Sequence, residues 1–154
     1  HYQMGNFLRE FYQDKGVVLN DIGAASFFGE IKLVDLAALG SKEVLVARMG
    51  RYNKSGVVFN TDFIYNLCKT KDVKIGILSA SWFDKYGGLP PQWKKVGEWV
   101  ITNGQGLVFD TVSFYAVDLR EEKNLIKNLQ KFSKKLPNNV VQSGVYFNSK
   151  LIKI

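Results

Sequence analysis

Three apolar, β-type runs, Val17 to Leu19, Ile31 to Leu36 and Val73 to Leu78, alternate with segments whose apolar residues recur at helical spacing. This alternation narrows the fold more than any other feature, because strand, helix and strand in succession build parallel pairs with helices on the faces of a sheet. Ahead of the first run, Met4, Phe7, Leu8, Phe11 and Tyr12 share one helical face, and Asp14-Lys15-Gly16 stops that helix. A short helical turn from Ala24 to Phe28, closed by Gly29, links the first two strands. Asn60 is a good N-cap for a further helix that buries Phe63, Ile64, Leu67 and Cys68 and runs to Lys71-Asp72.

After Leu78 the pattern changes. Trp93 to Ile101 and Leu107 to Val117 are β-type runs joined by Thr102-Asn103-Gly104-Gln105-Gly106, whose Asn-Gly pair predicts an antiparallel hairpin. Asp118 and Glu121 have the spacing of a capping box for a last helix, and Val140 to Phe147 reads as an added edge strand. The expected fold is an α/β, three-layer-like sandwich with a mixed, partly parallel, Rossmann-like sheet and an antiparallel hairpin at one edge. Residues 1 to 154 are expected to form one such domain, a length that buries roughly two thirds of the unfolded surface without staples.

Composition excludes several classes. With 46% hydrophobic and 23% charged residues the chain is neither disordered nor membrane-spanning in character. The longest mainly apolar runs, such as Val73 to Ala80, fall far short of the ~20 residues that a spanning helix needs and read as strands. A single cysteine, Cys68, rules out a disulfide within the chain, and a single histidine, His1, rules out the usual zinc and histidine-based catalytic sets. Cys68 lies on the apolar side of its helix and reads as core. His1-Tyr2-Gln3-Met4 starts inside a helical pattern with no signal segment ahead of it, which leads us to expect a piece of a longer protein.

The formal charge of +7 is local: residues 120 to 154 hold 8 basic and 2 acidic side chains, or +6 of it. Lys123, Lys127, Lys131 and Lys135 recur every fourth residue opposite Leu125, Leu129, Phe132 and Leu136. That spacing aligns them on a helical face, read first as a solvated surface and second as a contact for anionic lipid headgroups, lipid-linked phosphate or nucleic acid.

Candidate site residues gather after the strands. The run Val17-Val18-Leu19-Asn20-Asp21-Ile22-Gly23-Ala24-Ala25 carries a strand into a helix, the junction where α/β proteins place ligands. Gly23 stands alone there, whereas cofactor loops use several glycines to let backbone approach a phosphate; no cofactor is therefore expected. Asp35 ends the second strand. Trp82, Phe83 and Tyr86 follow the third, and Gly87-Gly88-Leu89-Pro90-Pro91-Gln92-Trp93 is read as a loop at the same carboxyl edge. The candidate ligand-facing residues are thus Asn20, Asp21, Asp35, Trp82, Tyr86 and Trp93, since aromatic rings beside polar groups suit sugar rings or lipid headgroups. A carboxylate pair for glycosidic chemistry among Asp21, Asp35 and Asp84 is conceivable in principle, but no spacing demands it. No catalytic or metal-binding residue is assigned.

Val18-Leu19-Asn20-Asp21-Ile22-Gly23-Ala24, then Phe27-Phe28-Gly29, Leu33-Val34-Asp35-Leu36 and Leu39-Gly40-Ser41, with Ser79-Ala80-Ser81-Trp82-Phe83 after a later strand, resemble a known pattern. Their combination is similar to the carboxy-terminal soluble domain of bacterial GT-C type membrane glycosyltransferases, those like protein O-mannosyltransferases. The likeness covers mostly residues 1 to 86, and it departs from the pattern at Lys42, where the family has proline. The resemblance implies an extracytoplasmic domain at the periplasmic face of a bacterial inner membrane, attached to the carboxy-terminal end of a multi-span enzyme that uses a polyprenyl-phosphate sugar donor. It also implies that the catalytic carboxylates belong to the membrane part, so that this chain is a non-catalytic accessory or substrate-positioning domain. Its partners would be the membrane-embedded part of the same polypeptide and, beside it, lipid-linked sugar or anionic headgroups. By the same resemblance Asn20, Asp21 and Asp35 would face the membrane-side cavity or support its loops. Two other readings stand beside this one. A stand-alone Rossmann-like enzyme of methyltransferase type is opposed by the lone Gly23, and a basic nucleic-acid-binding module by the lack of a recognisable nucleic-acid motif.

Overall fold

The computed structural model describes residues 1–50, 56–102 and 111–147. Strand β1 (Gly16–Leu19) lies between two parallel neighbours, β2 (Lys32–Asp35) and β3 (Val73–Leu78), and is buried along its whole length, with side chains in the core of either face. Helices on both faces of the sheet are why β1 is continuously apolar rather than alternating, and why β3 is apolar but for Lys74. Gly16 permits the approach: a Cβ there would lie 2.5 Å from the Asp72 carbonyl oxygen. Beyond β3 the sheet turns antiparallel, through β5 (Thr111–Ala116), β4 (Lys94–Ile101) and the edge strand β6 (Val140–Ser143), in the order β2-β1-β3-β5-β4-β6. The chain leaves β1 outward to β2 and returns across it to β3. The switch point therefore lies between the carboxyl ends of β1 and β3, at Asn20 and Ser79.

Helices cover both faces, which makes the three layers. On one face α1 (Tyr2–Phe11), α2 (Gly23–Gly29) and α5 (Glu122–Phe132) enclose a core centred on Phe7. The rings of Phe11, Tyr12, Trp99, Phe114 and Phe132 surround it at centroid distances of 5.4 to 5.9 Å. On the other face α3 (Lys42–Arg48), α4 (Thr61–Thr70) and a 3-10 segment, Ala80–Tyr86, bury Val18, Val34, Val44, Ile64, Cys68 and Phe83. The expected α/β sandwich with a mixed sheet is the architecture found.

Local details follow from residue chemistry. Asn60 caps α4 as expected, its Oδ1 accepting from the Phe63 N–H at 2.9 Å. Helix α3 was not legible in the sequence, because its seven residues bury only Val44 and Ala47 and so show no period. Ser41 caps it, and Lys42 takes the first helical position, the one place in a helix where proline also fits. The short crossover between Leu19 and Ile31 joins parallel neighbours through the two-turn α2.

Three expectations need correction. Asp118 caps a 3-10 turn, Leu119–Glu121, by accepting from the Arg120 N–H, but the reciprocal half of the capping box is missing. The Asp118 N–H that Glu121 would have received donates to the Lys74 carbonyl at 3.1 Å, and Glu121 instead accepts from the Tyr12 hydroxyl. The lysine row is not one helical face: α5 ends at Phe132, and a 3-10 turn, Ser133–Lys135, carries Lys135 into an ion pair with Glu10 of α1. The last strand stops at Ser143 rather than Phe147. Gly144, with φ at 105°, turns the chain so that Tyr146 packs over Gly97 and accepts the Trp99 indole N–H at 2.9 Å. The Asn103-Gly104 turn lies outside the described residues, while the strands on either side of it pair antiparallel as predicted.

Candidate functional site

The carboxyl edge of the parallel strands is built around Asn20, which is 7% exposed. Its position after β1 points to a helix cap, yet α2 starts at Gly23 with Ile22 as N-cap and no capping side chain. Asn20 reaches sideways instead. Its Oδ1 accepts the Ser79 N–H at 3.0 Å, and the Ser79 hydroxyl donates to the Thr111 carbonyl at 3.2 Å. One hydrogen-bonded relay thus ties the ends of β1 and β3 to the start of β5 across the switch point. The Asn20 Nδ2 group is buried without a hydrogen-bond partner among the described residues.

Asp35 performs a similar task at the end of β2. It is buried, and each carboxylate oxygen has a backbone donor: Ala37 N–H on Oδ1 at 2.8 Å and Gly40 N–H on Oδ2 at 2.7 Å. An acidic group near this place in dinucleotide-binding sheets meets a ribose hydroxyl, but here both oxygens shape the loop into α3. Asp21 is partly exposed, and burial raises its carboxyl above the ordinary value. Its Oδ2 lies 3.2 Å from the His1 Nε2.

Trp82 and Tyr86 stand on the 3-10 segment that follows Ser79, held in place by the buried Phe83 between them. Two cations flank their rings. The Arg48 guanidinium lies 4.9 Å from the Trp82 centroid and 6.0 Å from that of Tyr86, and the Lys85 ammonium lies 5.3 and 5.0 Å from the same two. Arg48 also donates to the Ala37 carbonyl, which links α3 to the loop after β2. Sequence reasoning missed Ser79, Arg48 and Lys85. Ser79 carried a signal as the first polar residue after a buried run, whereas Arg48 sits on the helix that had no period.

Trp93 does not belong to this edge. Strands β3 and β4 are each antiparallel to β5, so they run the same way, and Lys94 at the start of β4 shares the partner Ala116 with Ile75. The loop from Gly87 to Gln92 therefore returns along the sheet, and Trp93 ends at the opposite edge. There it lines a cavity of about 260 Å³ with Tyr65, Lys69, Asp72, Asp118 and Arg120. Its indole Nε1 is buried without an acceptor among the described residues. The carboxylates of that cavity are engaged: Asp118 with Arg120 at 2.8 Å and Lys74 at 3.3 Å, and Asp72 with Lys74 at 2.7 Å.

Lys123, Lys127 and Lys131 are exposed on α5, on the face of the sheet away from Trp82 and Arg48. Cys68 is fully buried, and burial pushes its thiol up to about 12. Among the described residues no group of three or more His, Cys, Asp or Glu side chains could hold a metal ion.

Fold and edge together define a mixed-sheet α/β domain whose buried polar groups at the switch point tie backbone to backbone. Residues 1–115 match a family described as a domain of unknown function (DUF8728), and the chain belongs to that family. The match takes in the parallel strands, the carboxyl edge and all but the last residue of β5, and it ends before α5 and β6. No curated protein and no solved structure matches the chain.

Proposed function

We propose that this chain is a non-catalytic, extracytoplasmic accessory or substrate-positioning domain of an integral membrane glycosyltransferase with a polyprenyl-phosphate sugar donor. The observation that carries the reading is how the carboxyl edge uses its polar groups. Asn20 holds Ser79 and Asp35 holds Ala37 and Gly40, so two of the three polar candidates are committed to loop shape. What the edge leaves at the surface are the half-buried rings of Trp82 and Tyr86 and the exposed cations Arg48 and Lys85, groups that stack on rings and pair with anions. Such a surface binds and orients. The likeness of Val18 to Ala24 and of the segments after it to GT-C soluble domains supports the same reading. In it, the membrane part of the polypeptide holds the donor and the catalytic carboxylates, and this domain sits on the periplasmic side of a bacterial inner membrane.

No helix among the described residues is long and apolar enough to cross a membrane, so the reading requires spans elsewhere in the polypeptide. The coding sequence ahead of residue 1 tests it: several hydrophobic spans of about 20 residues are expected. A translation start immediately upstream, with no span before or after the domain, would contradict it. Titration calorimetry adds an independent check against the methyltransferase alternative. Micromolar binding of S-adenosylmethionine, lost on Asp21→Ala, would replace this proposal with that one.

A further inference from the structure

Helix α3 turns an apolar side to solvent. Val44 and Ala47 point into the core, which leaves Lys42, Leu45 and Met49 on the outward side. Leu45 is 46% exposed and Met49 50%, and Leu39, in the loop just before the helix, is 76% exposed. The end of α3 adjoins the aromatic pair of the carboxyl edge, because Arg48 reaches both Trp82 and Tyr86 and also the Ala37 carbonyl. Apolar, aromatic and cationic groups are therefore continuous over one corner of the domain. Around that corner the exposed charged groups are the cations Lys42, Arg48, Lys71 and Lys85 and the carboxylates Glu43, Asp62 and Asp84, with Lys71 paired to Glu43 at 3.1 Å. Cations are in slight excess.

We propose that this corner, made by α3, the loop before it and the Ala80–Tyr86 segment, lies against the surface of an anionic lipid bilayer. Aliphatic side chains that enter the acyl boundary, tryptophan and tyrosine at headgroup level and cations for the phosphates are the three groups that interfacial binding requires. Charge complementarity selects a bilayer over a second copy of the chain, which would bring like cations together. The lysine row of α5 is the competing surface, and geometry separates the two. They lie on opposite faces of the sheet, so one flat membrane cannot touch both. The exposed positions of α5 are Lys123, Asn124, Lys127, Gln130 and Lys131, which offer charge but nothing apolar to insert.

The inference deepens the proposed membrane-side role and rests on it only for the orientation of the domain in its parent. Co-sedimentation of the chain with phosphatidylcholine vesicles, with and without phosphatidylglycerol, at low and physiological salt tests it. Wild type is expected to bind the anionic vesicles more weakly as salt rises. Leu45→Gln with Met49→Gln should weaken binding about tenfold or more, and Lys85→Gln about fivefold. A triple glutamine variant at Lys123, Lys127 and Lys131 should bind as wild type does. Failure of wild type to bind, or loss of binding in the α5 variant alone, would overturn the inference, as would vesicle-independent dimerisation abolished by the Leu45 and Met49 changes. All these side chains are exposed, so circular dichroism should show the variants folded. Absence of membrane spans in the parent would remove the glycosyltransferase reading yet leave vesicle binding to stand or fall by itself.

Discussion

Replacing Asn20 with alanine isolates the tie across the switch point. The variant loses the oxygen that receives the Ser79 N–H at 3.0 Å, a hydrogen bond between two buried residues. Leaving a buried N–H unsatisfied costs about 1–3 kcal/mol. The other half of the amide acts in the opposite sense. Nδ2 is buried with no acceptor, so its removal recovers part of a desolvation cost of the same order and brings the net loss to about 1–2 kcal/mol. For a domain of this size each kcal/mol moves the melting temperature by about 2–4 °C, so a fall of roughly 2–8 °C is expected. Asn20→Leu fills the space without restoring the acceptor and should fall by a similar amount. Thermal unfolding by circular dichroism reads the shift, and amide exchange reads the site, since the Ser79 N–H should lose protection ahead of the β3 core. An unchanged melting temperature with Ser79 still protected would refute the structural role given to Asn20 and return it to the pool of ligand-binding candidates.

Other perturbations read different parts of the fold. Gly97→Ala would put a Cβ 2.3 Å from the Tyr146 ring and 2.7 Å from the Ser143 carbonyl, so it should destabilise by about 3 kcal/mol and loosen β6, seen in a urea melt. Cys68 should resist alkylation in the native state and react fully after denaturation, because the thiol is buried and its ionisation is pushed up to about 12; modification followed by mass spectrometry reads this. Asp118 should contribute pH-dependent stability. Its hydrogen bond from the Arg120 side chain holds its carboxyl well below the usual carboxylate range, so the contribution is full above the unfolded value of about 4 and is lost as the pH falls through the lower folded value. Asp118→Asn should therefore be less stable than wild type at pH 7, and the gap should narrow at pH 3 and below.

The parallel half of the fold was legible because strands covered on both faces are predominantly apolar, as Val17 to Leu19 is throughout and Val73 to Leu78 is but for Lys74. Asn60 was legible because a cap and the helix it starts are adjacent in sequence. What could not be read were relations between distant residues. Nothing near Asn20 says that its partner is Ser79, which stands 59 positions away. Nothing near Trp93 says that the preceding loop returns to the opposite edge, since strand direction in the antiparallel half is set by pairing with β5. Helix α3 escaped because a short helix lying over a sheet edge needs only two inward residues. Its outward Leu45 and Met49, which look like noise in the period, are the residues that the bilayer inference uses.

The role proposed for this domain is to support sugar transfer without performing it. Transfer of labelled sugar from a polyprenyl-phosphate donor tests this directly when measured for the intact parent protein, for the parent lacking residues 1–154, and for the 154-residue chain alone. Transfer by the intact parent, reduced or lost transfer without the domain, and none by the chain alone are expected. Transfer or donor hydrolysis by the isolated chain would contradict it, as would full activity of a parent that lacks the domain.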